Sequence, residues 1–295
     1  SAYALLACVE AQRLLDTAEK LSAWLYALLG AQTQALAPEV HLARGHAGQQ
    51  ASAARIREEL SRQWGHTDFH SVRATRPLQE IYSLRCAPQI LGACRTQMDF
   101  AHSVIMDEIS GTSDNPVVTD AAVLHGGNFM GQQIAFAADM LNQSMVQIGL
   151  LAERQIALTL APASNGGAPL LLAHEQGIDS GMAGVQLSAT ALTAELRAAA
   201  GPHANATIPT NGENQDIVSM ATLAARTARE QSRRLSGVLA MLALSLHRLG
   251  YMPREERPDE ISPPDWLPQQ RRWSGDTALR ADVAALGRFL LYEDR

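Results

Sequence analysis

Residues 133–160 read QIAFAADMLNQSMVQIGLLAERQIALTL. No proline interrupts the run, and Ile134, Met140, Leu141, Met145, Ile148, Leu151 and Ile156 fall on nearly every face of the helix it predicts. A helix that is apolar all round belongs at the centre of a large bundle. Pro162 lies just beyond and stops it, since proline has no backbone N–H and clashes with the preceding turn.

Helical periodicity continues on both sides of this stretch. Leu5, Val9, Leu14, Ala18, Leu21, Trp24, Leu25 and Leu28 predict a first helix to about Leu36, ahead of Pro38. A charged helix follows from Gln49 to Trp64, then a third from Ile90 to Ile109. Beyond the central run, helices are expected over Ser180–Ala199 and Asp216–Leu249, with Asp216 suited to a helix N-terminus. Val117-Val118 and Val123-Leu124 suggest a small hairpin around Asp120. After Tyr251 the chain is Pro-rich and charged, reading as a loop and a short helix from Asp276 to Leu291. The fold class is all-α, with long central helices in a bundle over 1–250 and a C-terminal loop and helix, 251–295, packing on it. So much apolar helix surface in so short a chain predicts an oligomer.

Composition narrows the function. A net charge of −6 with no basic face argues against nucleic acid. The longest strongly apolar run, Leu235 to Leu246, is too short for a bilayer, so no membrane partner is expected. Cys8, Cys86 and Cys94 form no CxxC and no zinc pattern, and read as reduced thiols of a soluble, cytoplasmic protein. There is no signal peptide at the start. Ser1 in first place fits initiator removal, proteolysis or trimming.

Four polar segments lie between the helices. In Gln79-Glu80-Ile81-Tyr82-Ser83-Leu84-Arg85-Cys86-Ala87-Pro88-Gln89, Tyr82 and Arg85 stand three apart and share a helical face. An Arg fork matches the two oxygens of a carboxylate, and a Tyr hydroxyl passes or donates a proton. On spacing alone, a surface Arg beside a half-buried Tyr is the commoner account, since such pairs are frequent on helices. His125-Gly126-Gly127-Asn128-Phe129-Met130-Gly131 allows close backbone approach to a ligand, or simply turns the chain. Thr210-Asn211-Gly212-Glu213-Asn214-Gln215-Asp216 can line a polar cavity or cap a helix. An Asx turn accounts for Ser113-Asp114-Asn115-Pro116. No phosphate loop, zinc pattern or hydrolase elbow occurs.

Together these segments resemble the ammonia-lyases and aminomutases that act on histidine, phenylalanine and tyrosine. The stretches that carry the resemblance are Arg44-Gly45-His46-Ala47-Gly48-Gln49, Tyr82-Ser83-Leu84-Arg85-Cys86-Ala87-Pro88-Gln89, Ser113-Asp114-Asn115-Pro116, Gly126-Gly127-Asn128-Phe129, Leu151-Ala152-Glu153-Arg154-Gln155-Ile156 and Asn214-Gln215-Asp216-Ile217-Val218-Ser219-Met220. They stand in family order over nearly the whole chain. The resemblance implies an electrophilic methylidene-imidazolone (MIO) prosthetic group, made by cyclisation of Ala-Ser-Gly, and a mobile Tyr that removes a β-proton. It implies that Arg85 holds the substrate carboxylate and that Tyr82 is the active-site Tyr beside the group. Gln79 is then a polar neighbour, Phe129 an aromatic wall with Asn128 before it, and Asn211 and Gln215 amides of the substrate and prosthetic-group region. It also implies a helical core like that of the fumarase and aspartase lyases, although the Gly-Ser-Ser-x-Met-Pro loop of those enzymes does not occur here.

The departures shape the expectation. No Ala-Ser-Gly occurs in the 295 residues, so this chain forms no MIO. By resemblance that tripeptide, the mobile Tyr and an Asn-Gly-Thr segment precede Ser1. Ser110 stands where the family usually has Asn, and Glu80 where it has Asp. Gln215, where histidine enzymes have Glu, and Met130, where they have His, resemble the tyrosine and phenylalanine enzymes. The expectation is a C-terminal half-chain that works with an N-terminal half-chain carrying the MIO, in a tetrameric assembly, as a lyase or 2,3-aminomutase. The alternative is an inactive homologue serving as a scaffold or regulatory subunit.

Overall fold

The computed structural model describes residues 1–74, 76–255 and 259–293. Helix α1 (Ala2–Leu29) stops seven residues before the expected Leu36. Gly30 takes φ 58, ψ 36 there, a left-handed conformation in which its N–H bonds back to the last turn. The polar stretch that follows forms a 3-10 turn at Gln34–Leu36, and Pro38 opens α2 (Pro38–Arg44) at a position where a missing N–H costs nothing. Helix α3 spans Ala47–Trp64 and ends on left-handed Gly65. After a loop come the single turn α4 (Tyr82–Arg85) and then α5 (Ala87–Ser110). The expected hairpin is present, with Val117 opposite Leu124 and Val118 opposite Val123.

The central run is α6 (Gln132–Leu160). Most of it is buried, but Gln133, Phe136, Gln143, Gln147 and Arg154 stay exposed and Met140 and Leu150 are half-covered. These positions recur every three or four residues, so one narrow stripe has no cover among the described residues. Helix α7 is Ala183–Ala199, starting after the expected Ser180. Helix α8 is Ala221–Tyr251, not from Asp216. Residues 210–215 are instead tied into a tight loop, and Met220, at φ 53, marks the entry to the helix. Helix α9 is Arg280–Tyr292, and Asp276 lies outside it, where its carboxylate accepts the N–H groups of Ser180 and Gly181 at 2.9–3.0 Å.

The core lies where α1, α6 and α8 meet, filled by Leu14, Leu21, Trp24, Leu141, Ile148, Leu239, Leu242 and Leu246. Helices α1 and α8 run in the same sense. Arg229 meets Glu10 at 3.1 Å near their starts, and Gly250 packs near Leu28 at their ends. Helix α5 runs against α6, with Cys94 Sγ donating to Ser144 O at 3.5 Å. Helix α9 rests on α8 and α1, where Arg13 donates to Leu291 O at 3.0 Å.

Helices α3 and α5 cross almost backbone to backbone. A Cβ on Gly48 would stand 2.3 Å from Gly92 O, and one on Gly92 would stand 2.4 Å from Gln49 Cα. Only glycine fits on either side. Gln49 then turns inward, its Nε2 2.8 Å from Nδ1 of buried His41. The Arg44–Gln49 motif therefore has a packing explanation.

Among the described residues no helix is long and apolar enough to cross a membrane, and no group of three His, Cys, Asp or Glu side chains is placed to hold a metal ion.

Candidate active site

The polar segments do not converge within the chain. They gather at the two ends of α6. At its C-terminal end, Gln155 Nε2 donates to Ser83 O at 3.0 Å and so places the Tyr82–Arg85 turn there. At its N-terminal end lie residues 125–131, with Gly131 against Ala221 and Ser219 at the start of α8. Gln155 is 23 positions after Gln132, and at about 1.5 Å per residue the two ends are roughly 35 Å apart.

The first cluster is built on α4. Tyr82 and Arg85 share a face as their spacing predicts, with the guanidinium carbon 5.1 Å from the Tyr82 ring centroid. Tyr82 is 68% exposed. Arg85 is half-buried, and its Nε is buried with no partner. Among the described residues its side chain forms no ion pair and no hydrogen bond. A buried guanidinium N–H without an acceptor is costly, so the site is suited to an incoming anion.

Behind this turn the chain is firmly held. The Glu80 carboxylate accepts the Gln32 N–H at 2.8 Å and pairs with Arg76 at 2.7 Å, so the Glu that stands at a usual Asp position is a buried anchor. Tyr26 donates to Leu84 O at 2.9 Å. Gln79 is exposed at the start of the segment.

The second cluster joins two of the motifs directly. Asn115 Oδ1 accepts the Gly126 N–H at 2.7 Å, and Asn128 Nδ2 donates to Thr112 O at 3.2 Å. Asn128 lines a cleft of about 550 Å³ with Phe100, Asp107, Glu108, Met130 and Gln133. Phe129 is 59% exposed. Ser110 is the exposed last residue of α5 and does not line this cleft. In the 210–215 loop, Thr210 and Gln215 pair through both backbone N–H groups, and Thr210 Oγ1 donates to Gln215 Oε1 at 2.8 Å. Asn211 takes φ 54, which the tight turn requires. Asn211 and Gln215 are both exposed, and no hydrogen bond joins either to Asn128 or Phe129 among the described residues.

Sequence reasoning assigned no role to Tyr26 or Gln155. Both are 1% exposed. Tyr26 lies inside an apolar helix and its partner is far along the chain, so no local signal marks it. Gln155 lies within a quoted motif, but nothing in its neighbourhood names Ser83 as the acceptor.

An all-α bundle with long central helices and polar loops at both ends is the architecture of the helical ammonia-lyases and aminomutases. The chain belongs to the aromatic amino acid lyase family, whose sequence profile matches residues 1–262. It is 40% identical over 221 residues to a tyrosine ammonia-lyase of Cupriavidus metallidurans, covering 70% of this chain and 41% of the relative. A histidine ammonia-lyase of Shewanella woodyi is 38% identical over 214 residues, again covering 70% and 41%. The crystal structure of a tyrosine aminomutase from Streptomyces globisporus superposes with a TM-score of 0.85 at 31% identity, over 97% of this chain and 58% of that one. The chain thus spans under half the length of these curated relatives.

Proposed function

We propose that this chain supplies the substrate-gripping part of an aromatic amino acid ammonia-lyase or 2,3-aminomutase acting on tyrosine or phenylalanine. The observation that carries the reading is Arg85, a partly buried guanidinium without an acceptor, held beside an exposed Tyr82. A carboxylate would complete the hydrogen bonds of Arg85 in two-point geometry. The Tyr82 hydroxyl would donate to, or exchange a proton with, a group on the same ligand. Gln79, Asn128, Asn211 and Gln215 add exposed amides, and Phe129 an exposed ring. Gln215 favours the tyrosine and phenylalanine side of the family over histidine.

The MIO would supply the electrophile that makes the amine a leaving group. Its Ala-Ser-Gly source is absent from these residues, so the reading places it in another segment or chain. Within one chain Tyr82 and Phe129 do not fit a single such group, because they lie at opposite ends of α6. A complete site therefore needs more than one chain, and the tetrameric assembly belongs to the proposal. The uncovered stripe of α6 and exposed Phe100, Met106 and Ile109 on α5 offer apolar surface for it.

The test compares this chain alone, the chain assembled with a polypeptide bearing Ala-Ser-Gly, and that assembly carrying Arg85→Lys. The chain alone is expected to form no arylacrylate and no β-amino acid from tyrosine, phenylalanine or histidine. The assembly is expected to form one of them. Arg85→Lys keeps the charge but loses the fork, a loss of about 2–5 kcal/mol where a buried charge is left poorly paired. At about 1.4 kcal/mol per tenfold, kcat/KM should fall by roughly thirtyfold or more. An inactive assembly would favour the scaffold alternative, and near-normal kinetics in Arg85→Lys would remove the carboxylate assignment.

A further inference from the structure

We propose that Gln155 and Tyr26 are positioning residues that aim Arg85 and Tyr82 by gripping the two carbonyls between them. The inference rests on the carboxylate reading of Arg85 and gives the Leu151–Ile156 motif a role.

A four-residue helix cannot hold its own orientation, because one turn fixes many dihedrals for few hydrogen bonds. Its last carbonyls also need donors. Leu84 O would find its helical donor four residues on, but residue 88 is proline and has no N–H. Tyr26 Oη, from α1, takes that place at 2.9 Å. The neighbouring Ser83 O accepts from Gln155 Nε2, from α6, at 3.0 Å. The Gln155 amide is itself oriented, since Nε2 also donates to Ser22 Oγ at 2.9 Å.

Two donors from two different core helices thus hold two consecutive peptide groups. Both are fully buried, so water does not compete for the carbonyls. Burial, with the Glu80 carboxylate nearby, pushes the Tyr26 hydroxyl far above its ordinary pKa, so it keeps its proton. With the Ser83 and Leu84 carbonyls turned into the core, Tyr82 and Arg85 on either side share the outer face. If Ser83 O were released, the turn would be held into the core only at Leu84 O and could tilt about that contact. The Arg85 fork would then meet a carboxylate at the wrong angle.

The variants are Gln155→Met, which keeps length and removes the donor, and Tyr26→Phe, which removes only the hydroxyl. Each is made in the assembled enzyme beside Arg85→Lys. The readout is calorimetric binding of L-tyrosine and of tyramine, which lacks the carboxylate. Gln155→Met is expected to weaken tyrosine roughly tenfold, a ratio equivalent to about 1.4 kcal/mol, and to leave tyramine unchanged. Tyr26→Phe should show the same split, and serves as the test if Gln155→Met does not fold. A merely structural role would weaken both ligands alike or neither, and either result overturns the inference. If Arg85→Lys shows the split and the other two do not, only the positioning role fails. If Arg85→Lys shows no split, the carboxylate reading fails and the inference falls with it.

Discussion

Gly92→Ala tests the packing on which the candidate site stands. The new Cβ would lie 2.4 Å from Gln49 Cα, 2.5 Å from Gln49 N and 2.7 Å from Gly48 O. Carbon contacts are comfortable at about 3.5–4.0 Å, so the shortfall is about 1 Å. All three atoms are backbone, so no rotamer change relieves the clash and the helices must part. Overpacking of this kind costs about 1–3 kcal/mol, and an unyielding contact belongs at the upper end. Alanine returns about 1 kcal/mol of helix propensity. The net loss is about 2 kcal/mol, or roughly 3 °C in Tm for a chain of this size. The assay is thermal melting followed by circular dichroism, with Gly184→Ala on α7 as control, because a Cβ there meets nothing within 4 Å. The control should melt at or slightly above the parent. A Gly92→Ala protein that melts with its parent would refute the close crossing. Since α5 begins at Ala87, two residues after Arg85, the same variant should also weaken amino acid binding in the assembly.

Two further outcomes follow from buried ionisable groups. Burial pushes the Glu19 carboxyl up to about 7 despite the Arg95 guanidinium at 2.8 Å. The folded chain therefore holds this proton more tightly than the unfolded chain, and stability present below about pH 4.5 is lost as pH rises toward 7. Glu19→Gln should gain on the parent across that window, by on the order of 3 kcal/mol at most, and parallel melting profiles from pH 5 to 8 would contradict this. Burial also pushes the Cys8 thiol up to about 11 and that of Cys94 up to about 12, so both stay protonated and inert. A thiol-alkylating reagent followed by mass mapping should mark half-buried Cys86 first, and prior labelling of Cys94 would count against the fold around Ser144.

The helices were legible because burial on a regular helix imposes a period on the sequence, and α1, α3, α5, α6 and α8 all carry it. Their ends were less legible. Gly30 lies in an apolar run that reads through it, and its left-handed role appears only in the backbone. Asp216 has the composition of a helix start, yet pairing of Thr210 with Gln215 draws it into a loop. The candidate site residues rest on motif order. Their distribution could not be read from it, because order along the chain does not say that Ser83 meets Gln155 while residues 125–131 occupy the far end of the same helix. The Gly48–Gly92 contact was hidden for a similar reason. Each glycine reads as ordinary alone, and only their meeting gives them a purpose.

The exposure of the aromatic residues bears on where activity resides. Tyr82, Phe100, Phe129 and Phe136 are each more than half exposed in a single chain. Fully burying a side chain of this size is worth roughly 1.5–3 kcal/mol, so four of them left in water forgo a sizeable part of the 5–15 kcal/mol that holds a typical domain together. Tyr82 and Phe129 lie at opposite ends of α6, while Phe136 is on its uncovered stripe and Phe100 on neighbouring α5. The described loops leave all four uncovered, and the helix keeps the two ends of the site apart. Contact in the proposed assembly would cover them, and the same contact would bring an Arg85 from one chain to a Phe129 from another. On the proposed function, the surface that would stabilise the assembly is also the surface that would complete the site.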